Sequence, residues 1–210
     1  CWKPIINNCL DFILDCQRVK NTEKYPSNQV RELFGAKTLT RVNDYCQSQN
    51  ISVSECWQYN DSQPVSIQDL LDTCNLYLPK DCELASVLHG DFCFSNILYD
   101  FRAQKIKVID PRGITASGEM TIYGDASYDI AKLSHSIIGL YDWIIAGYYD
   151  VSISAGKIGF EIHVNNKLDD IQTYYISRID SVFSIQPETL YAMQIHLFLS
   201  MLPLHADCQK

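Results

Sequence analysis

Residues 87–100, VLHGDFCFSNILYD, and residues 106–113, IKVIDPRG, decide how this chain is read. They place Asp91 five residues ahead of Asn96 and bring in Asp110 after a short apolar run. Ile97-Leu98-Tyr99 and Ile106-Lys107-Val108-Ile109 carry the β-branched and aromatic content of two short strands. The turn-like residues 100–104 between them predict a hairpin. A hairpin sets Asn96, before its first strand, beside Asp110, after its second. Gly90 has backbone angles open to it that other residues avoid, which lets Asp91 project from a tight loop. A carboxylate in such a loop can orient a hydroxyl and accept its proton. An amide oxygen and a second carboxylate can hold Mg²⁺ against the phosphates of ATP. Asp91 is the candidate catalytic base, and Asn96 and Asp110 are the candidate metal ligands.

His-Gly-Asp at 89–91, with Asn96 and Ile109-Asp110, resembles the core of the aminoglycoside phosphotransferase and choline/ethanolamine kinase superfamily. These are small-molecule kinases with a protein-kinase-like fold. The downstream run GDASYDIAKL, residues 124–133, resembles the family's second motif, in which the later acid, here Asp129, is structural. The two motifs cover residues 85–135. The resemblance implies a catalytic Asp91, Mg²⁺ on Asn96 and Asp110, ATP as co-substrate and a small-molecule acceptor. That acceptor would be choline, ethanolamine, a sugar or an aminoglycoside-like amine. Asp110-Pro111-Arg112-Gly113 departs from relatives that carry an aromatic after the acid, and leaves Arg112 two roles, on a phosphate or on a carboxylate. The same stretch and the ending at 200–207 resemble kinase-like proteins of bacterial capsule or lipopolysaccharide assembly. The resemblance also implies a small N-terminal nucleotide lobe. The only glycine ahead of His89 is Gly35, so no Gly-rich phosphate loop is encoded here. With Cys1 as first residue, the expectation is a C-terminal lobe whose N-terminal lobe lies upstream.

His89 and Ser95 are the candidate cofactor-binding residues. A histidine at this place also invites a general-base role, but a structural hydrogen bond that shapes the loop is the simpler reading. Ser95 has two readings, a bond to a phosphate or Asp91 and a loop cap.

The 210 residues are 47% hydrophobic and 20% charged, as in an ordinary globular protein. A net charge of −8 speaks against a nucleic-acid partner, which needs a basic footprint. No apolar run approaches the ~18 residues of a membrane span, and no signal peptide is visible. The expectation is a soluble cytoplasmic protein. Nine cysteines without a Cys-x-x-Cys pair read as small hydrophobes rather than a disulfide framework. Cys82, His89 and Cys93 lack the spacing of a zinc site.

The fold class expected is α+β, mostly helical, as one kinase-like lobe. It divides into a helical part at 1–84, the catalytic loop and hairpin at 85–113, and a helical acceptor-binding part at 114–210. Apolar residues at helical spacing predict helices over 4–20, over 27–46 capped by Ser27, over 67–74 capped by Ser66 with Asp69, over 125–146, over 168–181 and over 187–201. Residues 50–64 lack periodicity and read as a loop. Arg31, Lys37 and Arg41 read as a solvated face. Alternation around Gly156 predicts a β-hairpin over 148–164. Tyr141, Trp143, Tyr148, Tyr149, Tyr174 and Tyr175 offer aromatic faces for a cationic acceptor, with core packing as the blander role. Asp142, Asp150, Asp169 and Asp170 offer contacts for an amino-sugar instead. Readings from other classes are a pseudokinase-like scaffold and a metal-dependent hydrolase.

Overall fold

The computed structural model describes residues 2–22, 30–80, 82, 84–115, 118–164 and 167–205. The chain is α+β and largely helical. The first helix, α1 (Trp2–Arg18), buries Ile6, Cys9, Leu10 and Ile13 at three- and four-residue spacing, and this stripe is the periodicity seen in the sequence. The stripe joins side chains of α4 (Ser127–Ile137), α6 (Leu168–Phe183) and α7 (Pro187–Met201) in one apolar core that includes Leu133, Tyr175, Ile179, Leu190 and Met193. Each such side chain contributes about 1.5–3 kcal/mol on burial. Ten of the eleven α4 residues are buried, and the exception is Lys132.

Residues Arg31–Ala36 form a π-helical turn that runs straight into α2 (Lys37–Gln49), with Val30 and Phe34 fully buried. The expected Ser27 cap lies outside the described residues. α3 (Ile67–Asn75) begins with the predicted capping box: Ser66 Oγ accepts from the Asp69 N–H, and the Asp69 carboxylate accepts from the Ser66 N–H at 3.0 Å. Val42, Cys46, Leu71 and Leu199 join α2, α3 and α7 in a second, smaller core.

Two expectations need correction. Residues 50–64 are not all loop, because β1 (Cys56–Tyr59) pairs antiparallel with β2 (Val65–Ser66). β1 also pairs parallel with the hairpin of β7 (Tyr149–Ser154) and β8 (Lys157–Ile162), with Gln58 facing Lys157. That partner lies about 100 residues away, so no local pattern announces it. The helix expected over 125–146 is two helices, α4 and a short α5 (Tyr141–Ile145). Leu140 takes a left-handed conformation (φ 54°), and a Cβ on Gly139 would stand 2.7 Å from the Phe198 ring and 2.8 Å from the His135 carbonyl oxygen. The close approach of α7 therefore ends α4. α7 ends at Met201, and Pro203, which cannot continue a helix, follows in a 3₁₀ turn.

Two short two-stranded sheets frame the candidate site residues. β3 (Ser86–Val87) pairs with β6 (Tyr123–Gly124), and β4 (Ile97–Asp100) forms the predicted hairpin with β5 (Lys105–Val108). Among the described residues no helix is long and apolar enough to cross a membrane.

Candidate functional site

The loop between β3 and β4 is pinned from below by one carboxylate. Asp129, in the first turn of α4, accepts from the backbone N–H of His89 at 2.7 Å and of Gly90 at 2.8 Å. Burial raises its pKa from 3.8 to about 6, against the downward pull of those two N–H groups and of His89; the Asp91 charge adds to the rise. Gly90 holds φ 79°, and a Cβ there would lie 2.8 Å from Arg112 Cβ, so this position needs glycine on both counts.

His89 is buried and engaged on both ring nitrogens. Nδ1 accepts from the Asp91 N–H at 3.3 Å, which puts the proton on Nε2, where it is donated to the Ile109 carbonyl at 2.9 Å. Arg112 N–H in turn donates to the His89 carbonyl at 2.8 Å, and Ile109 N–H to the Asn96 carbonyl at 3.0 Å. The ring thus ties the loop to the end of β5, and neither nitrogen remains for a nucleotide. Ser95 is exposed and lies 3.2 Å from the Cys93 sulfur.

Asp91 is held from two sides. Its Oδ1 pairs with Lys132 Nζ at 2.8 Å, and its Oδ2 accepts from Asn96 Nδ2 at 3.1 Å. The same amide donates to the Asp91 carbonyl at 2.9 Å, which leaves Asn96 Oδ1 with no hydrogen bond among the described residues. The Asp110 carboxylate is exposed and, like that amide oxygen, without a hydrogen bond or ion pair among the described residues, on a backbone turned left-handed (φ 56°). An amide oxygen and a carboxylate kept clear of protein donors suit Mg²⁺, which takes few protein oxygens and keeps the rest of its shell for water and phosphate. Among the described residues no group of three or more His, Cys, Asp or Glu suits a metal, and Cys82, His89 and Cys93 form no such site.

Asp91 and Asp110 line one cavity of about 320 Å³. Lys37 and Arg41 of α2, Arg112 and Lys132 line it too, with Leu197, Met201 and Leu204 as an apolar wall. This corrects the reading of Lys37 and Arg41 as a solvated face: α2 packs on α7, which turns that face inward and half-buries both. The Arg31 side chain lies outside the described set. Burial, with repulsion from Arg112, Arg41 and Lys132, lowers the Lys37 pKa to about 8. Arg112 meets the Tyr128 hydroxyl at 3.1 Å rather than a carboxylate. Lys132 was legible in principle, because it stands three residues after Asp129 and so shares its face of α4.

None of the six aromatic residues or four acids considered for the acceptor lines this cavity. Tyr175 is fully buried against Ser134, Tyr174 bonds Asn7, Tyr149 packs on Phe160, and Asp150 pairs with His163. Trp143 and Asp170 line a separate, mostly apolar cavity of about 550 Å³ that contains none of Asp91, Asn96 and Asp110. The smaller cavity is the one that gathers charged side chains around Asp91 and Asp110. Comparison with known proteins finds no family model, no curated protein and no solved structure that matches this chain.

Proposed function

We propose that this chain carries the catalytic centre of an ATP- and Mg²⁺-dependent phosphotransferase acting on a hydroxyl of a small molecule, in the C-terminal lobe of a protein-kinase-like fold. The observation that carries this reading is Asp91, which faces a cavity between the Asn96 amide and the Lys132 ammonium, with Asp110 on the same cavity. Bound at Asn96 and Asp110, Mg²⁺ would neutralise charge on the phosphates. Asp91 orients the acceptor hydroxyl and takes its proton. As the acceptor oxygen bonds to the γ-phosphorus, the bond to the β,γ-bridging oxygen breaks and ADP leaves. Lys132 holds Asp91 in one rotamer and offers positive charge beside the reacting centre. A reaction that draws on ATP fits a cytoplasmic protein.

The test uses the full-length protein. Calorimetry with Mg·ATP should give binding heat that Asp110→Asn abolishes. ADP release with a panel of small alcohols should fall about 10²–10⁴-fold in Asp91→Asn, the range for loss of a general base, with Mg·ATP affinity retained. Wild-type turnover in Asp91→Asn overturns the base assignment. Absence of Mg·ATP binding overturns the phosphotransferase reading and favours a non-catalytic binding module.

A further inference from the structure

We propose that the acceptor is an alcohol bearing its own anionic group, a phosphate or a carboxylate, gripped by Lys37, Arg41 and Arg112. The inference rests on the phosphotransferase reading of the same cavity and names its substrate class. Four cations and two carboxylates line the space. Lys132 is spent on Asp91, and Asp110 is kept clear for the metal, so three cations stand without a balancing charge. The excess is local, since the chain as a whole carries −8.

The three cations are placed to grip. Lys37 and Arg41 are four residues apart on α2 and therefore share one face. Arg41 is fixed by a bond from Nη1 to the Ser200 carbonyl at 2.8 Å, and Arg112 by Tyr128 at 3.1 Å. Each guanidinium keeps the remainder of its fork for a second partner, and a planar fork matches carboxylate and phosphate oxygens. The Lys37 ammonium is half-buried and has no hydrogen bond or ion pair among the described residues. A cation taken out of water without a partner is costly, and an anionic ligand would remove that cost. Choline or an aminoglycoside would bring positive charge to a wall that is already cationic. The apolar side chains of Leu197, Met201 and Leu204 leave room for a small carbon skeleton beside the charge.

Anionic oxygens here have two sources, the acceptor and the nucleotide's own phosphates. The full-length protein is titrated, by calorimetry, with inorganic phosphate, glycerate, glycerol, choline and, separately, Mg·ATP. Wild type, Lys37→Gln, Lys37→Arg and Asp110→Asn are compared. Phosphate and glycerate should bind saturably, and glycerol and choline should not. Lys37→Gln should weaken the anions about tenfold, the scale of one charge-assisted hydrogen bond. Lys37→Arg should restore them, and Mg·ATP affinity should be the same in wild type and both Lys37 variants. Choline binding as tightly as phosphate, or no saturable anion binding, overturns the proposal. So does a Lys37→Gln effect on Mg·ATP alone, which would give these cations to the nucleotide. Anion binding without any Mg·ATP binding defeats the phosphotransferase reading and leaves the anion site standing; Mg·ATP binding lost in Asp110→Asn, with no anion site, does the reverse.

Discussion

Asp129→Asn should separate the stability of the fold from the order of the loop that carries Asp91. The native carboxylate is almost fully buried, and its pKa of about 6 stands above the ordinary 3.8. At about 1.4 kcal/mol per pH unit, the ionised side chain costs the native state about 3 kcal/mol at neutral pH. Asparagine is neutral and sheds that cost. Its oxygen can accept one of the two N–H groups, and its own NH₂ then faces the other. A buried donor left without an acceptor costs about 1–3 kcal/mol. The two contributions nearly cancel, so the unfolding free energy should move by no more than about 2 kcal/mol, a few degrees in Tm. The loop fares differently, because one of its two anchors immediately ahead of Asp91 is gone. Misplacement of a reacting group by about 1 Å costs up to about 10²-fold in rate. Urea unfolding and ADP release on the same preparation test the split. Loss of more than about 4 kcal/mol on the scale of a broken buried charge pair, or unchanged turnover, would refute the reasoning. The pH dependence carries the opposite sign from that of a salt-bridged acid. Because the folded pKa lies above the unfolded one, the native state binds this proton more tightly. This group's contribution to stability therefore grows as pH falls from about 6 to 3.8 and is lost as pH rises through the same window. Protonation nevertheless takes an acceptor from the loop that His89 and Gly90 form. Wild-type turnover should fall below about pH 6 without a parallel loss of fold, and Asp129→Asn should lack that limb.

Two further substitutions probe the neighbourhood. Lys132→Met keeps the length and packing of the side chain but removes the 2.8 Å pair with Asp91. Turnover should drop about tenfold or more, as for loss of one preorganised charge, with Mg·ATP affinity unchanged in a parallel titration; an effect on nucleotide affinity alone would contradict the positioning role. Gly139→Ala forces a methyl to within 2.7 Å of the Phe198 ring and 2.8 Å of the His135 carbonyl oxygen. Overpacking of this kind costs about 1–3 kcal/mol, read from the urea midpoint, and an unshifted midpoint would show that α7 yields freely there.

Much of the fold was legible because its signals are local. The α1 stripe recurs within a few residues, the Ser66–Asp69 box is complete within four, and the β4–β5 and β7–β8 hairpins each contain both partners of their ladder. What escaped depends on distant chain. β1 is a strand because β8 lies beside it. The 125–146 helix breaks where α7 presses Phe198 against Gly139, although the apolar pattern runs on without a gap. The same division holds at the site. Asp91, Asn96 and Asp110 lie within twenty residues of one another, and their motif could be read directly. Lys37 and Arg41 face the same cavity from a helix some fifty residues earlier, and nothing near them in sequence distinguishes that face from solvent.

This division follows from how the parts are fixed. The hairpin register pairs Ile97 with Val108, which leaves Asn96 and Ile109 joined by the next backbone bond and Asp110 one residue beyond it. A slip of one residue in that ladder would turn every side chain to the other face, so the reactive groups are as secure as the hairpin itself. Asp129 of α4 and the Ile109 carbonyl past β5 add tertiary locks on His89 and Gly90, immediately ahead of Asp91. The wall of Lys37 and Arg41 is held more loosely, by packing of α2 on α7. Changes there can alter the charge of the cavity without disturbing the loop that carries Asp91. On the proposed reading, reactivity would thus rest with a short, internally bonded segment and acceptor choice with a helix that meets it only in the folded state. A charge reversal such as Lys37→Glu falls on the second and spares the first.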